Sequence, residues 1–488
     1  MATSETNSGS SEDKGTGGLR PFPLLMAGGD VLVVISIFLL GYWIRHEVLA
    51  DVLFRWFGMD PGFRLSLWNY FVSGAVMGVI EVMMLQAFGV YRQHYGLAHI
   101  EEMAWILRSS FIAVVVTFAF TFATRQLYFS RFVLLFALPA SSVSVAVWHW
   151  IVHRLYRTVA RRSGRTVKVA IYGTGPLARD VGRFMETKAS IPYEIVGMIP
   201  GYDEEDPTGD AVTRENLFDW LRQRSVTELI LADPRAPKEH VADLIYRCEE
   251  HGFSYKLVAD VFALVRLTTR ITHMGGTTMI ESVPSPLSGP RRIPKRIMDL
   301  VLSGVLIVLL SPLLALISLA IILDTGFPVL YRQTRLGKNN ARFTLLKFRS
   351  MRKGADKERD TLEDLNEASG PLFKMKDDPR ITRVGRAIRR FSLDELAQIF
   401  NVISGKMSLV GPRPPLPGEV QRYSQRHLKR LQVLPGITGV WQISGRSNLN
   451  FDEMIKLDLY YVDNWSIWMD LSILLLTVPA VLTARGAY

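Results

Sequence analysis

Long apolar stretches separated by charged loops dominate the first third of this 488-residue chain. Each of the first four is close to the roughly 20 residues that an α-helix needs to cross the hydrocarbon core of a bilayer. They occupy residues 22–43, 67–90, 103–123 and 132–152. The pattern predicts a bundle of four transmembrane helices within residues 21–160. Residues 1–20 are rich in Ser, Gly, Thr and charge, which is typical of a disordered tail.

Charged residues around this bundle predict its orientation. The exit of the fourth segment is crowded with basic residues, namely Arg154, Arg157, Arg161, Arg162, Arg165 and Lys168. Because short cytoplasmic loops carry an excess of Lys and Arg, this exit is predicted to be cytoplasmic, and four crossings place the N-terminus there too. Two acids lie inside the apolar segments, and an intramembrane acid is a functional hypothesis. Asp30 is close enough to a helix end to reach water, whereas Glu81 is deeper and serves either a helix contact or a function.

A fifth apolar segment, at residues 296–323, is predicted to enter the membrane and return on the same side. Both of its flanks are basic, so both ends are expected to be cytoplasmic. Ser311 and Pro312 lie at its middle, and a proline removes an amide donor and kinks a helix. Ser311 offers a partner for a backbone carbonyl that the proline frees. The alternative is an ordinary fifth crossing with a proline kink.

A soluble α/β domain is predicted at residues 165–270. The apolar run VKVAIY leads into a glycine turn and a helix-like stretch, and two further apolar runs follow. Gly173, Gly175 and Ala178 match the G-x-G-x-x-G/A pattern of a Rossmann-like nucleotide site. The ribose-binding acid that should end the second strand is displaced to Asp203, which favours a regulatory or oligomerising role over cofactor binding. Residues 271–290 are rich in Gly, Ser, Thr and Pro and are predicted to be a linker.

Composition restricts the class of protein. A net charge of +11 with 48% hydrophobic residues suits a membrane protein with soluble parts that meets anionic lipids and phosphates. Nucleic acid is not expected as a partner, because the chain has neither zinc-ligand spacing nor an RNA-binding motif. The single cysteine, Cys248, excludes an intrachain disulfide and a cysteine metal cluster, and is interpreted as a small buried hydrophobe.

An acid pair, Asp394 and Glu395, is the main candidate for chemistry in the last domain, at residues 291–488. Ser392 begins an S-x-x-E capping box, so the pair is also consistent with an ordinary helix start. The positive end of the helix dipole is expected to keep Asp394 ionised. An ionised carboxylate there can bind Mg²⁺ or attack phosphorus.

Basic and polar residues near the acid pair are candidates for binding phosphate or sugar. Lys347 and Arg349 are two apart on a strand-like run and point the same way. Arg390 lies on the basic face of a predicted helix that suits a membrane interface or the surface of a core. Arg413 stands between two prolines, where a pre-organised guanidinium suits phosphate. Gln442 and Arg446 lie in a glycine-rich loop region.

Residues 291–488 resemble the bacterial sugar transferase family, the polyprenyl-phosphate hexose-1-phosphate transferases. The motifs that carry the resemblance are KFRSM, DDPRITRVGRAIRRFSLDELAQIFNVISGKMSLVGPRP, PGITGVWQISGR and YYVDNWSIWMD. With the upstream helices and α/β domain, the chain is similar to the long form of that family. The implied fold is a membrane α-helical bundle, a soluble α/β Rossmann-like domain and an α-rich monotopic catalytic domain with a re-entrant helix.

The resemblance implies transfer of glucose- or galactose-1-phosphate from a UDP-sugar to undecaprenyl phosphate, with release of UMP. This would be the first membrane step of exopolysaccharide, capsule or lipopolysaccharide O-antigen synthesis, which downstream glycosyltransferases continue. Asp394 matches the family's nucleophile and metal contact, Glu395 its partner acid, and Arg413 its phosphate-binding arginine. Ser311 and Pro312 match the break in its re-entrant helix. Mg²⁺ is the implied cofactor.

The resemblance also implies the bacterial inner membrane, with the catalytic domain on the cytoplasmic face. Ala397 stands where many relatives carry Pro, and Val440-Trp441-Gln442 where some carry Trp-Ala-Gln, so the departures concern specificity more than chemistry. The oligomeric state stays open, a homodimer through the middle domain being one possibility.

Two other functions are consistent with parts of the sequence. A non-catalytic membrane sensor would control polysaccharide assembly through nucleotide binding to the middle domain. An NAD-dependent nucleotide-sugar enzyme would need a ribose-binding acid and a Tyr-x-x-x-Lys pair, and Tyr172, Tyr193, Tyr202 and Tyr246 have no lysine four residues on.

Overall fold

A computed structural model describes most of the chain in two compact units, Met1–Leu264 and Val265–Tyr488. The described residues are 21–48, 66–91, 98–123, 131–162, 166–187, 193–202, 216–258, 268–274, 277–283, 285–287, 289–355, 378–445, 449 and 451–482. The predicted tail at residues 1–20 and the acid Asp203 lie outside them.

The first unit begins with a four-helix bundle, at the positions where the apolar pattern predicts it. Its helices are α1 (Pro21–Trp43), α2 (Leu67–Ala87), α3 (Ala98–Ala123) and α4 (Arg131–Arg162). Apolar side chains such as Phe38, Met77 and Leu85 are fully buried where the helices meet. The core also holds carboxylates, because Asp30 and Glu81 are both fully buried. The prediction that Asp30 reaches water is therefore wrong.

Four helices of the described chain are long and apolar enough to cross a membrane. The corresponding segments are Leu24–Val48, Leu67–Ala87, Ile100–Ala119 and Arg292–Thr325. Helix α4 packs in the same bundle and buries Ser141, Ser142 and His149. Three of the four predicted crossings are thus supported by length and composition.

A parallel sheet follows the bundle. Its strands, in the spatial order β2-β1-β3-β4, are β1 (Val167–Tyr172), β2 (Tyr193–Ile199), β3 (Glu228–Leu231) and β4 (Ser254–Leu257). The intervening helices are α5 (Pro176–Thr187), α6 (Leu217–Gln223) and α7 (Lys238–His251). Cys248 is buried in the core beneath α7, as predicted.

The glycine turn after β1 has a structural reason for its glycine. Gly173 donates its amide to Ile199 O at 2.7 Å and has a φ of +117°. A Cβ atom there would lie 2.9 Å from Ala232 O, so a side chain would clash with β3 and its following turn. The strand–turn–helix predicted from the G-x-G-x-x-A pattern is confirmed.

The second unit starts before the predicted domain boundary, and part of the predicted linker at residues 271–290 is ordered. Strands β5 (Thr268–Met274) and β6 (Thr277–Val283) pair antiparallel as a hairpin. Both strands are rich in β-branched Thr, Ile and Val, a composition that suits a strand and was hidden by the surrounding Gly, Ser and Pro.

Helix α8 (Arg292–Thr325) contains the predicted re-entrant segment. It is 34 residues long, which would span about 51 Å if straight. Near its start, Arg296 donates to Val402 O at 2.7 Å. At its end, Thr325 accepts from Arg349, while Ile317 and Ile321 pack in the core with Ile388 and Ala397.

Both ends of α8 therefore contact one small group of elements, which a straight helix of that length cannot do. Pro312 lies inside the helix, and Ser311 Oγ donates to Val308 O at 2.9 Å. Val308 O is the carbonyl that the missing Pro312 amide would have bonded, as expected for the helix break. These contacts favour re-entry over a fifth crossing.

The remaining elements fold around α8. Strands β7 (Leu330–Leu336) and β8 (Arg342–Phe348) form an antiparallel hairpin, and two short strands, β9 (Ser408–Val410) and β10 (Gly436–Thr438), pair in parallel. The helices are α9 (Arg383–Arg390), α10 (Ile399–Ile403), α11 (Pro417–Val420), α12 (Gln425–Leu428), α13 (Val440–Ser444), α14 (Phe451–Asn464) and α15 (Ile467–Leu482).

Candidate active site

A strongly basic cavity of about 980 Å³ opens beside the β7–β8 hairpin. Two carboxylates line it, Asp394 and Glu419. Nine basic side chains also line it, namely Arg332, Arg335, Lys347, Arg349, Arg352, Lys353, Arg380, Arg389 and Arg413. An excess of positive charge around a concave surface attracts polyanions such as phosphates and diphosphates.

Asp394 enters the cavity from a short 3₁₀-helix, Leu393–Gln398, rather than from the α-helix start that the sequence predicts. Ser392 has a φ of +52° and its side chain makes no capping bond, so the predicted capping box is wrong. The backbone amide of Glu395 instead donates to Ser392 O at 3.2 Å. The left-handed turn at Ser392 separates this element from helix α9.

Close packing of α9 on the end of β8 fixes the direction of that turn. Thr382 caps α9, and its backbone amide donates to Ser350 O at 3.1 Å. A Cβ atom on Gly385 would lie 1.9 Å from the same Ser350 O, so only glycine allows the helix this close. The residues after α9, including Asp394, are thereby held next to Lys347.

Burial dominates the electrostatics of Asp394. It raises the pKa of the carboxyl group from 3.8 to about 6, and the neighbouring Glu395 charge raises it further, while Lys347 and Arg389 oppose the shift. The predicted effect of a helix dipole is weak here, because the 3₁₀ element has only six residues. The charge of Asp394 therefore depends on the neighbouring Lys347, Arg389 and Glu395, and on the charge of any ligand that binds in the cavity.

Glu395 forms an ion pair with Lys347. Its Oε1 atom lies 2.7 Å from Lys347 Nζ. Burial alone would raise the pKa of Glu395, but the Lys347 ammonium, with Arg413 and Arg335 further away, holds it below its usual range. Glu395 therefore stays ionised and places Lys347 beside Asp394.

Arg349 is a buried arginine at the cavity wall whose guanidinium is only partly hydrogen-bonded. It is buried, and its Nη2 atom donates to Thr325 and to Gly326 O at the end of α8. Its Nε and Nη1 atoms are buried and have no hydrogen-bond partner among the described residues. An unpaired donor of a buried guanidinium needs an acceptor, and an oxygen of a phosphate bound in the basic cavity can supply one.

Arg413 lies at the cavity wall on a loop whose backbone is anchored from two directions. Arg335 donates to Pro414 O at 3.1 Å. Arg430 donates to Arg413 O at 2.9 Å and pairs with the buried Asp458 at 2.5 Å. The Arg413 guanidinium lies 6.0 Å from the Trp441 ring and remains directed by the rigid loop that the sequence predicts.

The structure does not bring every predicted site residue to the cavity. Gln442 donates to Ile437 O at 2.7 Å, and its Oε1 atom is buried without a partner. Arg390 stacks near Phe391, and its neighbour Arg389 lines the cavity instead. Arg446 lies outside the described residues. Thus Asp394, Glu395, Lys347, Arg349 and Arg413 are brought together, and Arg390 is not.

The sequence analysis missed several residues of this site. Arg335, Arg389, Arg380 and Glu419 were not distinguished from the many other charged residues nearby. The fixing of the Arg413 loop by Arg335 and Arg430 depends on contacts 79 and 17 residues apart, which local patterns do not reveal.

The donor set suits Mg²⁺. Mg²⁺ prefers oxygen ligands and usually takes one or two carboxylates together with substrate phosphates and waters. In the described residues no side chain donates a hydrogen bond to the Asp394 carboxylate, which lines the cavity, and Glu395 is adjacent. These two acids fit the metal position that the sequence predicts.

Sequence comparisons match two parts of the chain to known families. Residues 290–484 match the bacterial sugar transferase family, and residues 86–259 match the CoA-binding domain family. The first match contains every residue of the basic cavity. The second contains the whole parallel sheet.

Relatives with assigned activities align over most of the chain. A galactosyl transferase of Streptococcus agalactiae is 31% identical over 84% of this chain and 93% of the relative. The UDP-glucose:undecaprenyl-phosphate glucose-1-phosphate transferase of Escherichia coli is 28% identical over 90% of this chain and 95% of the relative. The undecaprenyl-phosphate galactose phosphotransferase of Salmonella typhimurium is 28% identical over 84% of this chain and 87% of the relative.

Proposed function

Because this chain belongs to the bacterial sugar transferase family, we propose that it transfers a hexose-1-phosphate from a UDP-sugar to undecaprenyl phosphate. UMP is the second product. The relatives act on glucose or galactose, so the hexose is one of these two. They support an enzyme of extracellular polysaccharide synthesis, and they give no support to a non-catalytic sensor.

The observation that carries this proposal is the position of one buried carboxylate, Asp394, in a cavity lined by nine basic side chains. Both substrates are polyanions, and a basic cavity lowers the repulsion between them. A buried acid with a pKa of about 6 is costly to ionise without a positive partner. A buried carboxylate in this cavity is explained if Asp394 reacts with the bound phosphate.

The reaction proceeds in two displacements. An ionised Asp394 oxygen attacks the sugar-bearing phosphorus, a new O–P bond forms, and the bond to the bridging oxygen breaks, so that UMP leaves with that oxygen. A phosphate oxygen of undecaprenyl phosphate then attacks the same phosphorus and releases Asp394. The product is a lipid diphosphosugar. The covalent intermediate lets UMP leave before the lipid phosphate enters, so one cavity serves both substrates.

The basic side chains hold the phosphates during both displacements. Arg349 offers its two unpaired donors, and Arg413 presents a guanidinium on an anchored loop. Lys347 compensates the charge of Glu395 and lowers the pKa of Asp394 towards the ionised form. When Mg²⁺ is bound at Asp394 and Glu395, it supplies further positive charge to the phosphate oxygens.

The apolar helix α8 supports a membrane location for this reaction. Many of its apolar side chains are exposed, such as Val308 and Leu309, although the rest of the catalytic unit covers both ends of the helix. An apolar helix that enters one leaflet keeps the cavity near the headgroup layer, where the acceptor phosphate lies. We place the catalytic unit on the cytoplasmic face of the inner membrane, from the basic flanks of the helices.

The test uses the purified full-length protein in lipid nanodiscs with undecaprenyl phosphate, Mg²⁺ and UDP-glucose or UDP-galactose labelled in the sugar. We expect label in the lipid extract with one of the two sugars, and one UMP per label transferred. Without the acceptor, we expect a burst of about one UMP per chain and label bound to the protein. Asp394→Asn removes the attacking oxygen and is expected to lower transfer at least about 1,000-fold.

The matched control is Asp324→Asn, at an exposed acid near the end of α8. It should transfer at the wild-type rate. Transfer by Asp394→Asn at that same rate would show that Asp394 is not the nucleophile. If the wild-type protein transferred sugar from neither UDP-glucose nor UDP-galactose, the proposed substrates would be wrong. The predicted homodimer and the downstream glycosyltransferases stay predictions.

A further inference from the structure

A polar cluster in the membrane bundle takes no part in the proposed reaction. His149 on α4 lies between two carboxylates, with Nδ1 2.6 Å from Glu102 Oε1 and Nε2 3.1 Å from Asp30. His153, one helical turn further along α4, has Nε2 3.1 Å from the same Glu102 oxygen. Tyr91 donates its hydroxyl to Asp30 at 2.6 Å. Three helices, α1, α3 and α4, thus contribute to one cluster.

Buried carboxylates in this part of the bundle need positive partners. Three of them share the bundle core, Asp30, Glu81 and Glu102, and Glu81 accepts a hydrogen bond from Ser110. In the described part of the chain, no lysine or arginine pairs with them. Two imidazolium groups would offset two negative charges, and one divalent ion bound to the neutral imidazoles would offset the same number. An isolated carboxylate in an apolar bundle is expensive, so one of these two arrangements is needed beside Asp30 and Glu102.

The geometry has the features of a metal site. Glu102, His149 and His153 each offer one ligand atom, and these three atoms all lie within 4.8 Å of one another. Ligands bound to Zn²⁺ at about 2.1 Å in tetrahedral geometry lie about 3.4 Å apart, so small side-chain rotations suffice. His149 and His153 are four residues apart on one helix, which places them on the same face.

A carboxylate beside the second ring nitrogen of His149 is another, independent feature of a metal site. A metal-bound histidine usually gives its other ring N–H to a carboxylate, which fixes the tautomer and the ring orientation. Asp30 occupies that position at His149 Nε2 and is itself held by the Tyr91 hydroxyl. His153 is partly exposed, with 18% of its side chain accessible, whereas His149 and Glu102 are buried.

We propose that Glu102, His149 and His153 bind one divalent transition-metal ion, for which Zn²⁺ is the probe. Two imidazole nitrogens and one carboxylate oxygen form a set that Zn²⁺ accepts, with water in a fourth position. Mg²⁺ prefers oxygen ligands alone, so the ion at this site differs from the one proposed for the catalytic cavity. The bound ion ties α3 to α4 and, through Asp30, to α1.

The test measures metal binding by the full-length protein in detergent or nanodiscs. After EDTA treatment and removal of the chelator, Zn²⁺ is added and the retained metal is counted by mass spectrometry. We expect one Zn²⁺ per chain and a higher unfolding temperature with Zn²⁺ than without. Asp30→Asn is expected to weaken binding about 10- to 100-fold, as for loss of a group that orients a ligand. His153→Gln, which removes a ligand, is expected to weaken it more.

His46→Gln is the matched control, because His46 is a buried histidine of the same bundle outside the cluster. It should retain one Zn²⁺ per chain. Should the variants fail to fold, Co²⁺ added to the wild-type protein gives a direct answer, since a site of low coordination number with nitrogen and oxygen ligands has strong visible absorption bands.

Two results would overturn the proposal. One is wild-type protein that retains no Zn²⁺, shows no shift in unfolding temperature and gives no Co²⁺ bands, which would make the cluster a hydrogen-bonded network alone. The other is Zn²⁺ binding with equal affinity in the wild type, His153→Gln and Asp30→Asn, which would place the metal elsewhere. Transfer activity is not part of either readout, so the outcome is independent of the proposed function.

Discussion

Lys347 Nζ lies 2.7 Å from Glu395 Oε1, and this ion pair joins strand β8 to the 3₁₀ element that carries Asp394. The pair gives the two adjacent acids different properties. Burial raises the pKa of Asp394 to about 6, whereas the Lys347 ammonium keeps Glu395 ionised. One acid is therefore suited to a reaction and the other to holding the cation beside it.

Lys347→Met tests this division of roles. Loss of the ammonium removes a charge that lowers the pKa of Asp394, so the acidic limb of the pH–rate profile should move up by about one pH unit or more. For a shift of one unit, the transfer rate at pH 7 should fall about twofold, and at pH 6 about fivefold, because a smaller fraction of Asp394 is ionised. Lys406→Met, at an exposed lysine away from the cavity, should leave the profile unchanged. An unshifted profile in Lys347→Met would contradict the argument.

Asp394→Asn should stabilise the protein at neutral pH while it stops transfer. The pKa of this carboxyl is higher in the folded chain, about 6 against 3.8, so ionising it costs stability above pH 6 and the cost disappears below about pH 4. This difference of about two pKa units corresponds to about 3 kcal/mol in the free energy of unfolding above pH 6.

The measurement compares unfolding temperatures of Asp394→Asn and the wild type in EDTA at pH 8 and pH 4. The variant should be more stable at pH 8, and the difference should shrink at pH 4. Asp324→Asn should show neither effect. Equal stabilities at pH 8 would mean that the Asp394 charge is compensated in the folded protein.

Arg349→Lys should weaken binding of the UDP-sugar. A lysine keeps the charge but loses the bonds to Thr325 and Gly326 and the further donors of the guanidinium. We expect KM to rise about tenfold or more, in line with the loss of a charged hydrogen bond. Arg342→Lys, at an exposed arginine that begins strand β8, should have the wild-type KM. A change in kcat alone would assign Arg349 to another role.

Cysteine labelling tests the re-entrant helix in a Cys248→Ala background. Single cysteines replace Ile293 and Asp324, which are exposed residues at the two ends of α8. A membrane-impermeant thiol reagent should label both from the cytoplasmic side of the membrane. Labelling of the two sites from opposite sides would establish a crossing.

Long periodic or apolar segments could be predicted from the sequence because their signal is repeated many times. The bundle helices are of this kind. A single residue can also be informative when its chemistry is unambiguous. Gly173 marks a turn that only glycine fits, and Pro312 leaves Val308 O without its amide partner, where Ser311 donates instead.

Short elements were predicted less well because tertiary contacts decide them. Ser392 has the residue type of a helix cap, but it adopts a left-handed turn between α9 and the 3₁₀ element and makes no capping bond. Arg389 and Arg390 are adjacent residues of the same type, and only the folded structure shows that Arg389 lines the cavity whereas Arg390 lies near the Phe391 ring. Asp30 looked accessible because its partner His149 is 119 residues away.

The Arg413 loop is held by its carbonyl groups, which Arg335 and Arg430 bind from elsewhere in the chain. The shape of the loop is thus encoded outside the loop itself. A substitution at Arg430, which does not line the cavity, would impair catalysis through the loop, and a screen for inactive variants would report it alongside true substrate contacts. Conversely, the ordering of this loop is complete before any substrate arrives, so each catalytic cycle begins without an entropic cost for assembling it.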